Sequence, residues 1–298
     1  MIRNRIEKRK PPVSAPPNTG MKGTKMINRK KILYLTDLSY RAKGRVYCEE
    51  DIYIANILKE HFDVALCHPK CAGSFEDGAD LIVFRNTGSV TEYKDIYNSF
   101  VNRVKQKGLK TFNTFTGKAD MRGKQYLLDL TLQKYPVIPT VDSAVNLNLL
   151  PETDRYVLKP KDGADSIGLE FVSKDELLRR SIFGGNLLIQ PETDFDYEVS
   201  FYFINKKFEY ALYAPDKTKR WELKPYNCTD DDIAFAERFI EWNTVEKGIQ
   251  RVDACRTKDG GLLLVELEDL NPYLSLLEVD EKTRNGFMAD FIDAIENA

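Results

Sequence analysis

Hydrophobic positions change their period partway along the chain. From Lys31, short apolar runs of strand length alternate with stretches of helical spacing: Ile32–Leu35, a helix over about Glu49–Phe62, Asp63–Leu66, Leu81–Phe84, a helix over about Thr91–Gln106, and Leu109–Phe112. Strand and helix in alternation predict βαβ units around a parallel sheet. A helix over about Asp120–Gln133 ends that texture. Strands then follow one another at Arg155–Lys159, Leu169–Val172, Leu187–Gln190, Glu198–Ile204 and Phe208–Ala214, which predicts an antiparallel α+β region. Ser173-Lys-Asp-Glu176 is a capping box that starts a helix between two of these strands. Thr229-Asp-Asp-Asp232 starts another, running to Trp242, with its acids where the helix dipole favours them. A helix over Glu281–Glu296 closes the chain.

Composition adds little until the charges are located. The 298 residues are 42% hydrophobic and carry 44 Lys+Arg against 46 Asp+Glu, an ordinary globular balance with a core that needs no disulfide or metal staple. Residues 1–30, however, hold nine of the basic residues and one acid, Glu7, with Pro11, Pro12, Pro16 and Pro17 among them. Too little there is apolar to offset the entropy of ordering, so residues 1–28 read as a basic disordered tail and the remaining body as acidic. Met21 and Met26 leave a later start open, with an appended leader or an organelle address as rivals. No apolar run approaches the length of a membrane span; a soluble, cytoplasmic protein is expected, with no membrane partner and no nucleic acid on the folded body. Five cysteines without a framework fit a reducing compartment.

Only two histidines, His61 and His68, are present, so chemistry must come from Lys, Arg, Asp and Glu. Arg155–Val172 is the first informative stretch: two strands joined by a loop with Lys159 and Lys161 at its entrance and Gly163, Ser166 and Gly168 within it. Such a loop can fold backbone N–H groups over phosphate oxygens while a lysine supplies charge, though a solvated hairpin would read the same way. The second is Gln250-Arg-Val-Asp-Ala-Cys255, a turn at Lys258–Gly261, and Leu262–Glu268. Strand alternation puts Glu266 and Glu268 on one face, and an antiparallel neighbour can set Asp253 opposite them. Three converging carboxylates repel; a divalent cation is the simplest way to keep them ionised, and an oxygen-only set suits magnesium. The alternative is that the glutamates face solvent and pair with Arg251. Cys67-His-Pro-Lys-Cys71, with His61, has spacing that zinc would accept, but a strand end followed by a βα loop accounts for it.

In this order, the elements resemble the ATP-grasp superfamily of carboxylate–amine ligases, such as D-alanine:D-alanine ligase, glutathione synthetase and related peptide ligases, over roughly Lys118 to Asn271. The resemblance implies an N-terminal α/β substrate domain over 29–117, a central lobe over 118–185 and a C-terminal lobe over 186–298 that bears the metal site, with ATP between the two lobes. It implies nucleotide-phosphate contacts by Lys124, with Lys118 as competitor, and by Lys159. Leu188–Thr193 resembles the adenine-reading hinge, so Gln190, Pro191, Glu192 and Thr193 would line the base, and Glu198 the ribose. Trp221–Tyr226 resembles the segment with a further phosphate lysine, here Lys224. Arg251-Val-Asp253 resembles the family's Arg-x-Asp, in which the arginine stabilises the transition state and the aspartate holds magnesium. Glu266 matches the glutamate that bridges two metal ions. Many members have Asn two residues later where this chain has Glu268; Glu268 is favoured as third ligand over Asn271.

The implied reaction joins a carboxylate, on a small molecule or peptide, to an amine, through an acyl phosphate with release of ADP and phosphate. The alternatives are a non-catalytic or regulatory ATP-binding module, and a phosphotransferase on the same fold. Loops after the N-terminal strands offer Arg41, Lys43, Arg45, Arg85 and Asn86 to an anionic substrate, though each could equally face solvent. Such ligases are often dimers, so a homodimer stays open.

Overall fold

The computed structural model describes residues 29–39, 41–42, 45–87, 93–162, 168–180 and 185–298, with the backbone only at Ala42 and Arg45. The basic tail lies outside them. The alternating region forms β1 (Lys31–Leu35), a short ribbon of β2 (Arg41–Ala42) and β3 (Arg45–Val46), α1 (Cys48–Leu58), β4 (Asp63–Cys67), β5 (Leu81–Phe84), α2 (Lys94–Lys107) and β6 (Thr111–Phe112). The expected parallel sheet is present, in the order β4-β1-β5-β6. α2 stops at Gly108, whose φ of 64° gives the left-handed cap that only glycine adopts without strain.

The next helix, α3 (Tyr126–Leu132), starts later than its periodicity suggests. Asp120–Arg122 forms a tight 3-10 turn instead, and Gly123, at φ 81°, redirects the chain before the helix begins. β7 (Arg155–Pro160), β8 (Glu170–Ser173) and β9 (Leu187–Pro191) make an antiparallel sheet ordered β8-β7-β9, with the helix α4 (Lys174–Arg179) packed beside it. Ser173 accepts the Glu176 amide, as a cap should. The remaining strands are β10 (Phe195–Ile204), β11 (Lys207–Ala214), β12 (Lys224–Pro225), β13 (Ile249–Thr257) and β14 (Leu262–Glu268), antiparallel in the order β12-β11-β10-β13-β14. α5 (Asp230–Trp242) and α6 (Glu281–Glu296) complete the chain, and Thr229 with Asp232 forms a full capping box on α5.

The five-stranded sheet is buried on both faces. Val199, Phe201 and Phe203 of β10 pack with Phe235 and Phe239 of α5 and with Tyr126, Leu127 and Leu130 of α3. The alternate positions Tyr202 and Ile204 pack instead with Phe287, Phe291 and Ile295 of α6, in a core that continues to Ile32 and Tyr34 of β1 and Val83 of β5. Each of these large apolar side chains contributes on the order of 2 kcal/mol by leaving water. The N-terminal sheet is therefore joined to the C-terminal sheet by shared core. Residues 136–141 tie the central sheet to the other side: Leu264 N bonds Pro136 O, Ile138 N bonds Leu264 O, and Val141 pairs with Ile189 of β9. This links β9 to β14 at Leu264.

Candidate active site

β13 and β14 pair with Arg251 opposite Glu268 and Asp253 opposite Glu266, while Ser200 of β10 faces Asp253 from the other side. The alternation that sends Val252 and Ala254 into the α5 core therefore sends Arg251 and Asp253 to the other face. The register shift between Asp253 and Ala254, where a bulge accommodates Val265, bends β14 beside this point. Ligand oxygens of Asp253, Glu266 and Glu268 come within 4.8 Å of one another, each side chain half-buried. Among the described residues this is the sole such cluster of His, Cys, Asp or Glu.

Arg251 stands among these acids. Its Nε and Nη2 donate to Asp253 at 2.9 and 2.8 Å, Nη2 also reaches Glu268, and Nη1 donates to the Tyr273 carbonyl at 2.8 Å. Burial opposes its charge, yet Asp253 and Glu268 hold its pKa above the ordinary arginine value. Loss of solvent lifts Glu268 to about 7; Arg251 opposes that rise, and Asp253 and Asp120 add to it. Ser200 Oγ donates to Asp253 at 2.6 Å.

The turn before α3 brings Lys124 here. Its buried side chain bonds Glu266 and lies 4.0 Å from Asp120, while its backbone N–H bonds Lys161 O at 2.8 Å. Buried Asp269, the residue after Glu268, accepts the Ala119 and Met121 amides at 3.0 and 2.8 Å and so fixes the turn. Loss of solvent raises Asp269 to about 7 and raises Asp120 as well, with Lys124 opposing the latter. The competitor Lys118 goes elsewhere: Nζ donates to Trp242 O at 2.8 Å and sits over the Trp242 ring.

Lys159 ends β7 close to this group, and loss of solvent, with the charges of Lys124 and Arg220, brings it down to about 7. No carboxylate among the described residues forms an ion pair with it, so an incoming anion would meet no internal competitor there. Lys161 is held by Asp142 at 2.9 Å. Gly168 has φ 77° and its missing Cβ would meet Pro160 at 2.9 Å, so the loop returns tightly against β7. Gly163 and Ser166 lie outside the described residues.

The hinge residues divide. Gln190 turns into the interior, bonding Thr140 Oγ1 at 2.8 Å, and Glu192 pairs with Arg155 at 2.6 Å. Pro191 ends β9, and Thr193 Oγ1 bonds the Pro191 carbonyl. Glu198 is paired with Arg220 at 2.6 Å, and Lys224 is exposed on β12. Arg85 and Asn86, expected to face a substrate, are instead turned inward: Arg85 is fully buried beside Glu50 and Asp51, and Asn86 bonds Asp51 at 3.2 Å. The reason is that two of the three acids in the first turn of α1, Glu50 and Asp51, are buried and need a cation. Arg41 is exposed, and the side chains of Lys43 and Arg45 are outside the described set. Asn271 Nδ2 donates to Thr87 Oγ1 at 3.1 Å. Cys67 and Cys71 are free thiols, and His68 caps the 3-10 turn that follows it.

The sequence matches no protein-family model and no curated protein. Solved structures do match. D-cycloserine synthetase DcsG is 18% identical and aligns over 88% of this chain and 99% of its own, at a TM-score of 0.67. The ATP-grasp ligase PsnB, with a minimal precursor, is 12% identical over 89% of this chain and 99% of its own, at 0.63. D-alanine–D-alanine ligase from Bacillus anthracis, complexed with ATP, is 12% identical over 90% and 96%, at 0.61. The chain has the ATP-grasp fold. In this ATP-grasp architecture the carboxylates and Arg251 of β13 and β14 meet Lys124 from the turn before α3, and Lys159 of β7 lies near enough to feel the Lys124 charge. Asp120, Asp269, Ser200 and Arg220 join the site without a motif of their own; the spacing Asp120-x-x-x-Lys124 is the one local signal, and it also fits a helix.

Proposed function

We propose that the chain is an ATP-dependent carboxylate–amine ligase, forming an amide or peptide bond with release of ADP and phosphate. The observation that carries this reading is the gathering of Asp253, Glu266 and Glu268 within 4.8 Å, beside Arg251 and Lys124 and near Lys159, which has no acidic ion-pair partner among the described residues. A nucleotide-binding module needs cations for phosphate; it does not need three converging acids. An all-oxygen, half-buried acidic set fits a hard divalent cation, and Asp253, Glu266 and Glu268 would hold magnesium. When bound, that ion neutralises phosphate charge and polarises the transferred phosphoryl group.

The remaining work falls to positioning and charge, which is what phosphoryl transfer chiefly requires. Lys159 and Lys124 would bind phosphate oxygens, Lys124 leaving Glu266 to do so, with Lys224 arriving from β12. Arg251, anchored at Nη1, would face the charge that develops as a substrate carboxylate oxygen attacks the γ-phosphorus and ADP departs. The amine then attacks the acyl carbon, loses a proton, and phosphate leaves, so no side-chain nucleophile is needed. The substrates would be a carboxylate-bearing small molecule or peptide and an amine; DcsG is named for D-cycloserine and D-alanine–D-alanine ligase for D-alanine, and PsnB is found with a precursor peptide.

The test is incubation with ATP, magnesium and pools of amino acids and short peptides, reading ADP, AMP and phosphate. ADP and phosphate released only when both a carboxylate and an amine are present supports ligation. AMP, or ATP binding without any turnover, would overturn it.

A further inference from the structure

Glu50 is buried in the first turn of α1, in the N-terminal part of the fold, yet its hydrogen bonds go to the C-terminal part. Oε1 accepts the Leu274 amide at 3.0 Å and Oε2 the Leu276 amide at 2.8 Å. Arg85 Nη2, 3.5 Å from Oε1, balances the charge. The two amides flank Ser275, whose φ of 51° is a left-handed conformation that costs a non-glycine residue on the order of 1 kcal/mol and persists where its neighbours are held. A buried carboxylate is an expensive way to hold a loop, since apolar side chains would fill the same space without desolvating a charge. What it offers is two acceptor oxygens for the two amides on either side of Ser275.

The Leu274 N–H belongs to the same peptide group as the Tyr273 carbonyl, and that carbonyl accepts Arg251 Nη1 at 2.8 Å. A trans peptide is planar, with N–H and C=O pointing to opposite sides, so a partner that fixes the N–H fixes the direction of the C=O. An anion on the N–H side also polarises the amide and makes its oxygen a better acceptor for a guanidinium. Two further contacts from the N-terminal part hold the same segment: Thr87 Oγ1 accepts from Asn271 at 3.1 Å, and the rings of Tyr47 and Tyr273 lie 4.3 Å apart.

We propose that Glu50 is a positioning residue for Arg251, acting through the Tyr273–Leu274 peptide group, so that the N-terminal part of the fold sets the orientation of the arginine at the phosphoryl-transfer site. The positional claim stands on the contacts alone; its consequence for turnover rests on the ligase reading above.

The test uses the full chain with arginine labelled in 13C and 15N, the Arg251 guanidinium signals being assigned by their loss in Arg251→Lys. In Glu50→Gln one carboxylate oxygen becomes an amide donor facing an N–H. Rotation of the Arg251 guanidinium is expected to quicken about tenfold, as befits the weakening of one hydrogen bond to a charged group. Glu50→Asp keeps the charge beside Arg85 but draws the carboxylate back by one carbon, and is read the same way should the glutamine variant fail to fold. ADP release should fall about 10- to 100-fold in kcat, with KM for ATP moving less than about twofold, and the substitution should add nothing in an Arg251→Lys background. Unchanged guanidinium rotation in a folded variant, or a full additional loss of kcat in the Arg251→Lys background, overturns the proposal. Absence of ADP release from the unaltered protein overturns the ligase reading instead, and the rotation measurement still decides this one.

Discussion

Lys124 and Glu266 are 142 residues apart in the chain and share a hydrogen bond inside the candidate site. The lysine comes from the turn before α3 and the glutamate from β14, so the bond ties the central region to the strand that carries two of the acids. It also keeps a buried cation against an acid cluster that would otherwise repel itself.

Replacing Glu266 by Gln should keep the fold, since the change is isosteric, while ADP release falls by about 100-fold or more as one carboxylate of the cation site is lost. Coupled-enzyme assay of ADP, with a thermal melt as control, reads both. Full activity in this variant would sink the metal assignment.

Magnesium should raise the melting temperature, and more so at pH 8 than at pH 6. Glu268 has a folded pKa of about 7, above its ordinary value, so the folded state holds the extra proton between those two values and stability falls as pH rises through 7. A bound cation removes that penalty in the ionised state and competes with the proton in the acidic one. Glu268→Gln should flatten the pH dependence of the magnesium shift; an equal shift at both pH values would count against it.

ATP affinity should weaken as pH rises from 7 to 9. Lys159, lowered to about 7 by loss of solvent and its cationic neighbours, loses the proton that binds phosphate over that range. Lys159→Arg, which stays charged, should bind ATP with little pH dependence in the same titration by calorimetry.

Gly117→Ala should destabilise the protein by about 1–3 kcal/mol, because the added Cβ would lie 2.0 Å from Asp269 Oδ2. Asp269 holds the turn leading to Lys124, so the variant should also bind ATP more weakly. Denaturant unfolding and ATP titration measure the two effects; a variant of unaltered stability would mean that Asp269 moves aside freely.

The strand and helix order was readable because it rests on local periodicity. β13 and β14 show this most directly: alternation around the Lys258–Gly261 turn is enough to put Asp253, Glu266 and Glu268 on one face. The N-caps at Ser173 and Thr229 were readable for a similar reason, since a cap and its amide are three residues apart, although only Thr229 completes the reciprocal box; Glu176 instead pairs with Arg180. The start of α3 is not legible in local periodicity, because Asp269, from a distant strand end, holds residues 119–121 in a turn instead.

By itself the sequence determined which side chains share a face and which segments can pair, because those follow from backbone geometry over a few residues. Only the tertiary structure decided the partner of each charge. Lys124 rather than Lys118 reaches the acids, and Arg85 turns inward to Glu50 and Asp51 instead of outward. A long charged side chain takes its direction from where remote segments arrive and from the cost of leaving a buried charge unpaired. Neither is written in the residues next to it.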